Sequence, residues 1–291
     1  MRIAFYTSLA LIAFASNSVL CRLALGENSI DAASFTAIRL ISGVVVLAII
    51  FGLSASQSSS NSNTKSRGSW RASAMLFLYA ITFSYAYLLL ETGTGALILF
   101  ASVQITMVLV DIISGNRPRP IEWVGMIIAF LGFIYLVAPG VSAPSPIGLI
   151  LMVVSGIAWG FYTLAGRGSS QPLADTTFNF LRTLPLVAIL VLATFSNTTL
   201  STTGIVLAIL SGGIASGIGY SIWYMALGGL SATQAAVVQL LVPIIAALGG
   251  VLFAAEPLHL RLVLASATIL GGVLILILGK QYTQKSISDS D

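Results

Sequence analysis

Apolar residues along this chain do not alternate with polar ones; they come in long continuous runs, and the polar residues gather in the gaps between them. Ten such runs can be marked, at 3–25, 32–53, 72–90, 94–114, 121–138, 147–166, 176–195, 205–227, 232–255 and 260–279. Each is close to the ~20 residues a helix needs to cross ~30 Å of hydrocarbon. A membrane barrel would instead show segments of ~10 residues that alternate apolar and polar. The pattern predicts an all-α integral membrane protein with ten transmembrane helices. The longest polar stretch, 54–69, is Ser/Asn-rich and reads as a flexible loop, and the tail from 280 to 291 reads as a frayed end. Arg2, an apolar core and Ala13-Phe14-Ala15 would also suit a cleaved leader. Because the run continues through Val19 to Leu25, a first membrane helix is the better reading.

Composition agrees: 57% of residues are hydrophobic and 8% charged, against about 45–50% and about 25% in soluble proteins. Lys and Arg near helix ends set orientation. With the N-terminus in the cytoplasm, the inner ends hold Arg2, Lys65, Arg67, Arg71, Arg117, Arg119, Arg167, Lys280 and Lys285, and the outer ends hold Arg22 and Arg261. The expectation is a multi-pass protein of the cell (inner) membrane with both termini cytoplasmic. This bias accounts for the net charge of +4, so nucleic acid is not implied as a partner. One cysteine, Cys21, and one histidine, His259, leave no intrachain disulfide and no Cys/His metal cluster; no cofactor is expected.

The chain also repeats itself. A shift of 139 residues places Tyr85 on Tyr224, Leu88 on Leu227, Thr94 on Thr233, Val103 on Val242, Pro118 on Pro257 and Gly132 on Gly271, and a shift of 143 places Phe35 on Phe178 and Arg39 on Arg182. Five helices per half is an odd number, so the halves must enter the membrane from opposite sides. That is an inverted repeat, which permits alternating access about a midplane site. The expected division is 1–140 for the first half, 147–279 for the second and 280–291 for a cytoplasmic tail.

Several motifs then fall in order: Ala37-Ile38-Arg39-Leu40 and its partner Arg182, Trp159-Gly160, the Gly219–Trp223 run, and Gln239-Leu-Leu-Val-Pro243 followed by Glu256-Pro257. On these the chain resembles the drug/metabolite transporter superfamily in its ten-helix EamA-type branch, over nearly its whole length. The resemblance implies a permease that carries amino acids, other metabolites or drugs, often outward. It departs from the family pattern at Ser16-Asn17, where Trp-Gly is frequent, and at Gln104, which stands opposite Pro243.

A transporter site should lie near the midplane between the halves. Counting at ~1.5 Å per residue, Asn17, Gln104, Trp159 and Tyr220 lie within about two turns of their helix centres. Tyr79, Phe83 and Tyr87 recur at i, i+4 and i+8, and Tyr220 and Tyr224 do the same on their helix. With Tyr162, these residues give the candidate substrate wall: Asn17, Tyr79, Phe83, Gln104, Trp159, Tyr162, Tyr220 and Tyr224. Each also has a plain reading, packing for the rings and interhelical bonding for the amides; Gln104 binds either another helix or cargo. Aromatic walls with amides and hydroxyls suit a small zwitterion or planar molecule and not a phosphate ester, which calls for converging cations. Arg39 and Arg182 read as structural or gating residues able to snorkel. Gly217, in a run of small residues, and Pro243, which removes a backbone bond, mark mobile helices. Asp111 either takes a proton during transport or pairs with Arg117 or Arg119. Glu91 and Glu256 read as hairpin polarity.

An intramembrane hydrolase built on Ser216 would need glycines where Ile214 and Ile218 stand, so an enzyme is not expected. No Gly-x-x-x-x-Gly-Lys-Ser/Thr motif is present. The expected function is a secondary exporter of small metabolites, amino acids first, with a flippase of drugs or lipid-linked cargo as the alternative; its partners are a small-molecule substrate and membrane lipid.

Overall fold

The computed structural model describes residues 2–57, 68–115, 120–138, 143–167, 169–227, 229–230 and 232–288. Lys65, Arg67, Arg117, Pro118 and Arg119, most of the Ser/Asn-rich stretch, and Gly228 and Ser231 of the second hairpin lie outside them. The described chain is helical: α1 (Arg2–Gly26), α2 (Ala32–Gln57), α3 (Trp70–Tyr87), α4 (Thr92–Ile113), α5 (Pro120–Val137), α6 (Pro146–Gly166), α7 (Pro172–Leu181), α8 (Leu184–Thr194), α9 (Thr202–Ile209), a π-wound segment Leu210–Ile218, α10 (Gly219–Leu227), α11 (Ala232–Gln239), α12 (Leu241–Phe253) and α13 (Leu260–Ser288). Eight spans, with α7–α8 and α9–α10 each counted as one, are long and apolar enough to cross a bilayer. α3 and the broken α11–α12 pair pack among them. The chain is a multi-pass membrane protein of the helical, inner-membrane kind.

Helix starts are written locally. Ser69 Oγ accepts the Ala72 amide, Ser145 Oγ the Gly148 amide and Ser201 Oγ the Gly204 amide, satisfying donors that have no partner inside the helix. Three elements differ from the runs read in the sequence. The run 176–195 begins at Pro172 and breaks after Leu181, because Pro185 lacks the N–H that would continue the ladder. The run 232–255 breaks at Leu240, where Pro243 imposes the same loss on Gln239. The last helix continues through Gly279 to Ser288 rather than fraying after 279.

The bundle is apolar inside and out. Leu25, Phe35, Leu40, Tyr87 and Phe180 form part of its core, while Ile49, Leu53, Ile127, Phe130, Leu192 and Leu252 face outward, as lipid requires. α5 and α13 pack closely through Gly125, Gly132 and Gly272.

Two carboxylates tie loops together across the sequence. Asp31 caps α2 through the Ser34 amide at 2.8 Å and accepts the Thr199 amide at 2.9 Å, and Ile30 and Leu200 form an antiparallel bridge beside it. Near the opposite end, Asp175 accepts the Gly68 amide and Asn179 the Ser69 amide, both at 2.8 Å. Burial raises the Asp31 carboxyl pKa, yet the amide donors of Ser34 and Thr199 outweigh it and hold the group below its ordinary value. A depressed carboxylate stabilises the fold above its unfolded pKa of ~3.9 and stops doing so as pH falls through the lower folded value. Asp31→Asn should therefore shrink the loss of melting temperature between pH 7 and strong acid; parallel losses in both chains would refute the role.

Candidate substrate cavity

Each helix that reaches the middle of the bundle contributes one stripe of side chains at helical spacing. α1 brings Phe14, Asn17 and Ser18; α3 brings Tyr79 and Phe83; α4 brings Phe100, Gln104 and Asp111; α6 brings Trp159 and Tyr162; α7 brings Asp175, Thr176 and Asn179; α10 brings Tyr220, Trp223 and Tyr224. Together they enclose a cavity of about 600 Å³, within the range of small-molecule sites. The eight residues marked in the sequence for a substrate wall all line it, and so does Asp111.

Trp159 stands at its centre. Its ring lies 4.6 Å from Tyr79, 5.2 Å from Tyr162 and 5.5 Å from Tyr220, nearly parallel to the last at 23°. Phe14 closes the far side at 5.7 Å from both Tyr220 and Trp223. Small residues set Trp159 at this depth: Gly156 and Gly160 lie against Ser102 and Thr106 of α4. The Ser155 hydroxyl donates to the Tyr79 carbonyl at 3.1 Å, pinning α6 to α3. The Thr176 and Tyr224 hydroxyls share a bond at 2.6 Å.

The two amides behave differently. Asn17 Oδ1 accepts from the Ser211 and Ser216 hydroxyls at 2.8 and 3.3 Å, so half of this amide is spent on the π-wound segment. Gln104 is 8% exposed, and its carboxamide makes no hydrogen bond among the described residues; it lines the cavity.

The cavity reaches the surface at the end where α4, α6 and α10 finish and α7 begins, past half-buried Asp111 and exposed Arg167. The other end is sealed. Arg22 Nε meets Glu256 Oε1 at 2.9 Å, Arg22 Nη1 donates to the Tyr87 carbonyl at 3.1 Å, and the Thr92 amide donates to Glu256 Oε2 at 2.8 Å. One carboxylate thus joins α1, α4 and the α12–α13 loop, a larger part than hairpin polarity. His259 and Glu91 lie 3.4 Å apart beside it.

The other marked residues fall elsewhere. Arg39 is 2% exposed and does not snorkel; half-buried Arg182 lies 5.9 Å over the Trp70 ring. Gly217 packs on Val46 of α2, and Pro243 sits in the first turn of α12. Arg117 and Arg119, the partners considered for Asp111, are outside the described residues. The sequence reading missed Phe14, Trp223, Thr176, Asn179 and the Arg22–Glu256 pair. Trp223 was within reach, three residues from Tyr220 on the same helix face; a pair 234 residues apart leaves no periodic trace.

An apolar helical bundle around a solute-sized chamber with one end sealed is the architecture of a membrane permease. Known proteins agree. Residues 146–278 match the model of the EamA-like transporter family. The chain is 48% identical over 271 residues to the uncharacterized protein PA1977 of Pseudomonas aeruginosa, covering 93% of each. It is 31% identical over 163 residues to an uncharacterized transporter of Archaeoglobus fulgidus, covering 53% of this chain and 56% of that one. A protein of known crystal structure shares the fold, with a TM-score of 0.59 at 19% identity over 93% of this chain and 98% of that one. The chain belongs to the EamA-like transporter family of the drug/metabolite transporter superfamily, and is a secondary transporter rather than an enzyme.

Proposed function

We propose that the chain exports small metabolites, amino acids first, by alternating access between two inverted five-helix halves, 1–140 and 147–279. The observation that carries this reading is the Trp159-centred cavity, in which the Gln104 carboxamide has no hydrogen-bond partner among the described residues and one end is locked while the other reaches the surface. The helix contacts support the inverted halves: α3 packs on α6 as the π–α10 segment packs on α1, and α4 packs on α6 as α12 packs on α1. Asp31 and Asp175 make corresponding clasps at opposite ends. In this reading the mouth is cytoplasmic, as the Lys/Arg bias requires, and the structure is the inward-open state. Proton coupling through Asp111 at the mouth belongs to the same reading.

The test is uptake of a labelled amino-acid panel into inside-out vesicles, with and without a protonophore, against vesicles lacking the protein. Uptake of one chemical class that collapses with the protonophore is expected. Gln104→Ala and Tyr220→Ala should each lower that uptake by about tenfold, the effect of losing one hydrogen bond or ring contact of ~1.4 kcal/mol, with membrane insertion intact. Native rates in both variants would remove these residues from the substrate wall.

A further inference from the structure

The cavity floor backs onto a formal charge that no carboxylate among the described residues neutralises. Arg39 of α2 is buried, and its Nη2 donates to the Tyr79 hydroxyl at 2.8 Å. Its guanidinium carbon lies 5.2 and 4.8 Å from the ring centroids of Tyr79 and Phe83. Nη1 has no hydrogen-bond partner, and no carboxylate pairs with the group among the described residues. Arg22, at the sealed end of α1, is by contrast answered by Glu256. A buried cation without a counter-charge is costly, and ring faces offset that cost in part.

Tyr79 connects this charge to the cavity, whose wall it forms. Its oxygen accepts from Arg39, so its own proton remains to be donated, and among the described residues no protein group takes it. Tyr79 therefore presents a donor strengthened by the cation behind it. The carboxylates that line the cavity, Asp111 and Asp175, belong to helix ends at the mouth, away from Tyr79.

Resting on the small-metabolite reading above, we propose that Tyr79 and Arg39 form a carboxylate subsite at the cavity floor. Cargo enters carboxylate-first, accepts the Tyr79 hydroxyl proton as a hydrogen bond, and supplies the negative charge that Arg39 lacks. The transported class is small organic carboxylates, zwitterions included, with any ammonium group turned toward the mouth and its carboxylates. Organic cations are excluded, because at the floor they would meet an unpaired guanidinium in a medium where like charges repel far more strongly than in water.

The purified full chain should be titrated with benzoate, benzamide and benzylammonium while tryptophan fluorescence is followed, since Trp159 and Trp223 line the cavity. Benzoate is expected to quench saturably at concentrations at least about tenfold below the other two, the minimum effect of a charge-assisted hydrogen bond. Arg39→Gln removes an unpaired buried charge, and Tyr79→Phe keeps the ring packing, so the test survives if one variant misfolds; either should bring benzoate down to the level of benzamide. Equal quenching by benzoate and benzamide in the native chain overturns the subsite, as does a benzoate preference unchanged in both variants. The vesicle assay separates this from the parent reading. Amino-acid uptake without a benzoate preference overturns the subsite alone; a benzoate preference without amino-acid uptake upholds the subsite and overturns the amino-acid reading.

Discussion

Gly212→Leu should yield little folded protein, with a loss of about 3 kcal/mol, the upper end of what overpacking a tight interface costs. Gly212 lies in the π-wound segment directly against α2, where an added Cβ would run into the Arg39 carbonyl oxygen and the Ser42 hydroxyl. The obstacle is backbone, which cannot rotate aside as a side chain can. Gly217→Ala is the internal control. Its Cβ would meet the Val46 side chain at 3.0 Å, a neighbour able to yield by a few tenths of an ångström, so a small change is expected. Melting in detergent and the yield of monodisperse protein check both, and equal melting of the two variants would refute the backbone argument.

Glu256→Gln should unlock the sealed end. The substitution keeps the shape and one acceptor for the Thr92 amide but leaves Arg22 without a counter-charge. A fully buried pair broken in this way costs about 3–5 kcal/mol; here the side chains are 25% and 10% exposed, so about 2 kcal/mol is expected after solvent screening. That is a roughly thirtyfold shift toward conformations open at this end. Cys21 is the sole cysteine of the chain, is fully buried and adjoins Arg22, which makes it a native reporter. A membrane-impermeant maleimide applied from the sealed side should label the native chain slowly and Glu256→Gln many times faster. Native-rate labelling would show that the seal rests on the surrounding apolar packing instead.

Helices were legible in the sequence because the bilayer leaves the backbone no alternative, so an apolar run of the right length has one meaning. Counting from a run's end placed Asn17, Gln104, Trp159 and Tyr220 at one level, and the structure puts all four around one space. Which face each residue presents was readable where two or three rings recurred at helical spacing, as on α3. What helix counting could not supply was partnership. Asn17 and Gln104 are both amides on the cavity wall, yet among the described residues one is bound to two serines on another helix and the other makes no hydrogen bond. That distinction depends on residues nearly two hundred positions away. Arg39 shows the same limit, since its position near a helix start suggested a route to the surface that the packing of Phe83 and Tyr79 closes. The break at Thr183 was signalled by Pro185, whereas the π winding of Leu210–Ile218 had no local signal.

That winding fixes more than a local hydrogen-bond pattern. The Gly219 amide bonds back to the Ile214 carbonyl, five residues earlier, and a turn closed this way takes up one residue more than an α turn, about 100° of helical phase. Ser211 and Ser216 are likewise five residues apart and both reach Asn17; on an α-helix they would point about 140° away from each other. Asn17 therefore acts as a keeper of phase. Everything downstream inherits the offset, and Tyr220, Trp223 and Tyr224 face the chamber at the azimuth left by a π turn held between Asn17 on α1 and the close glycine contacts on α2.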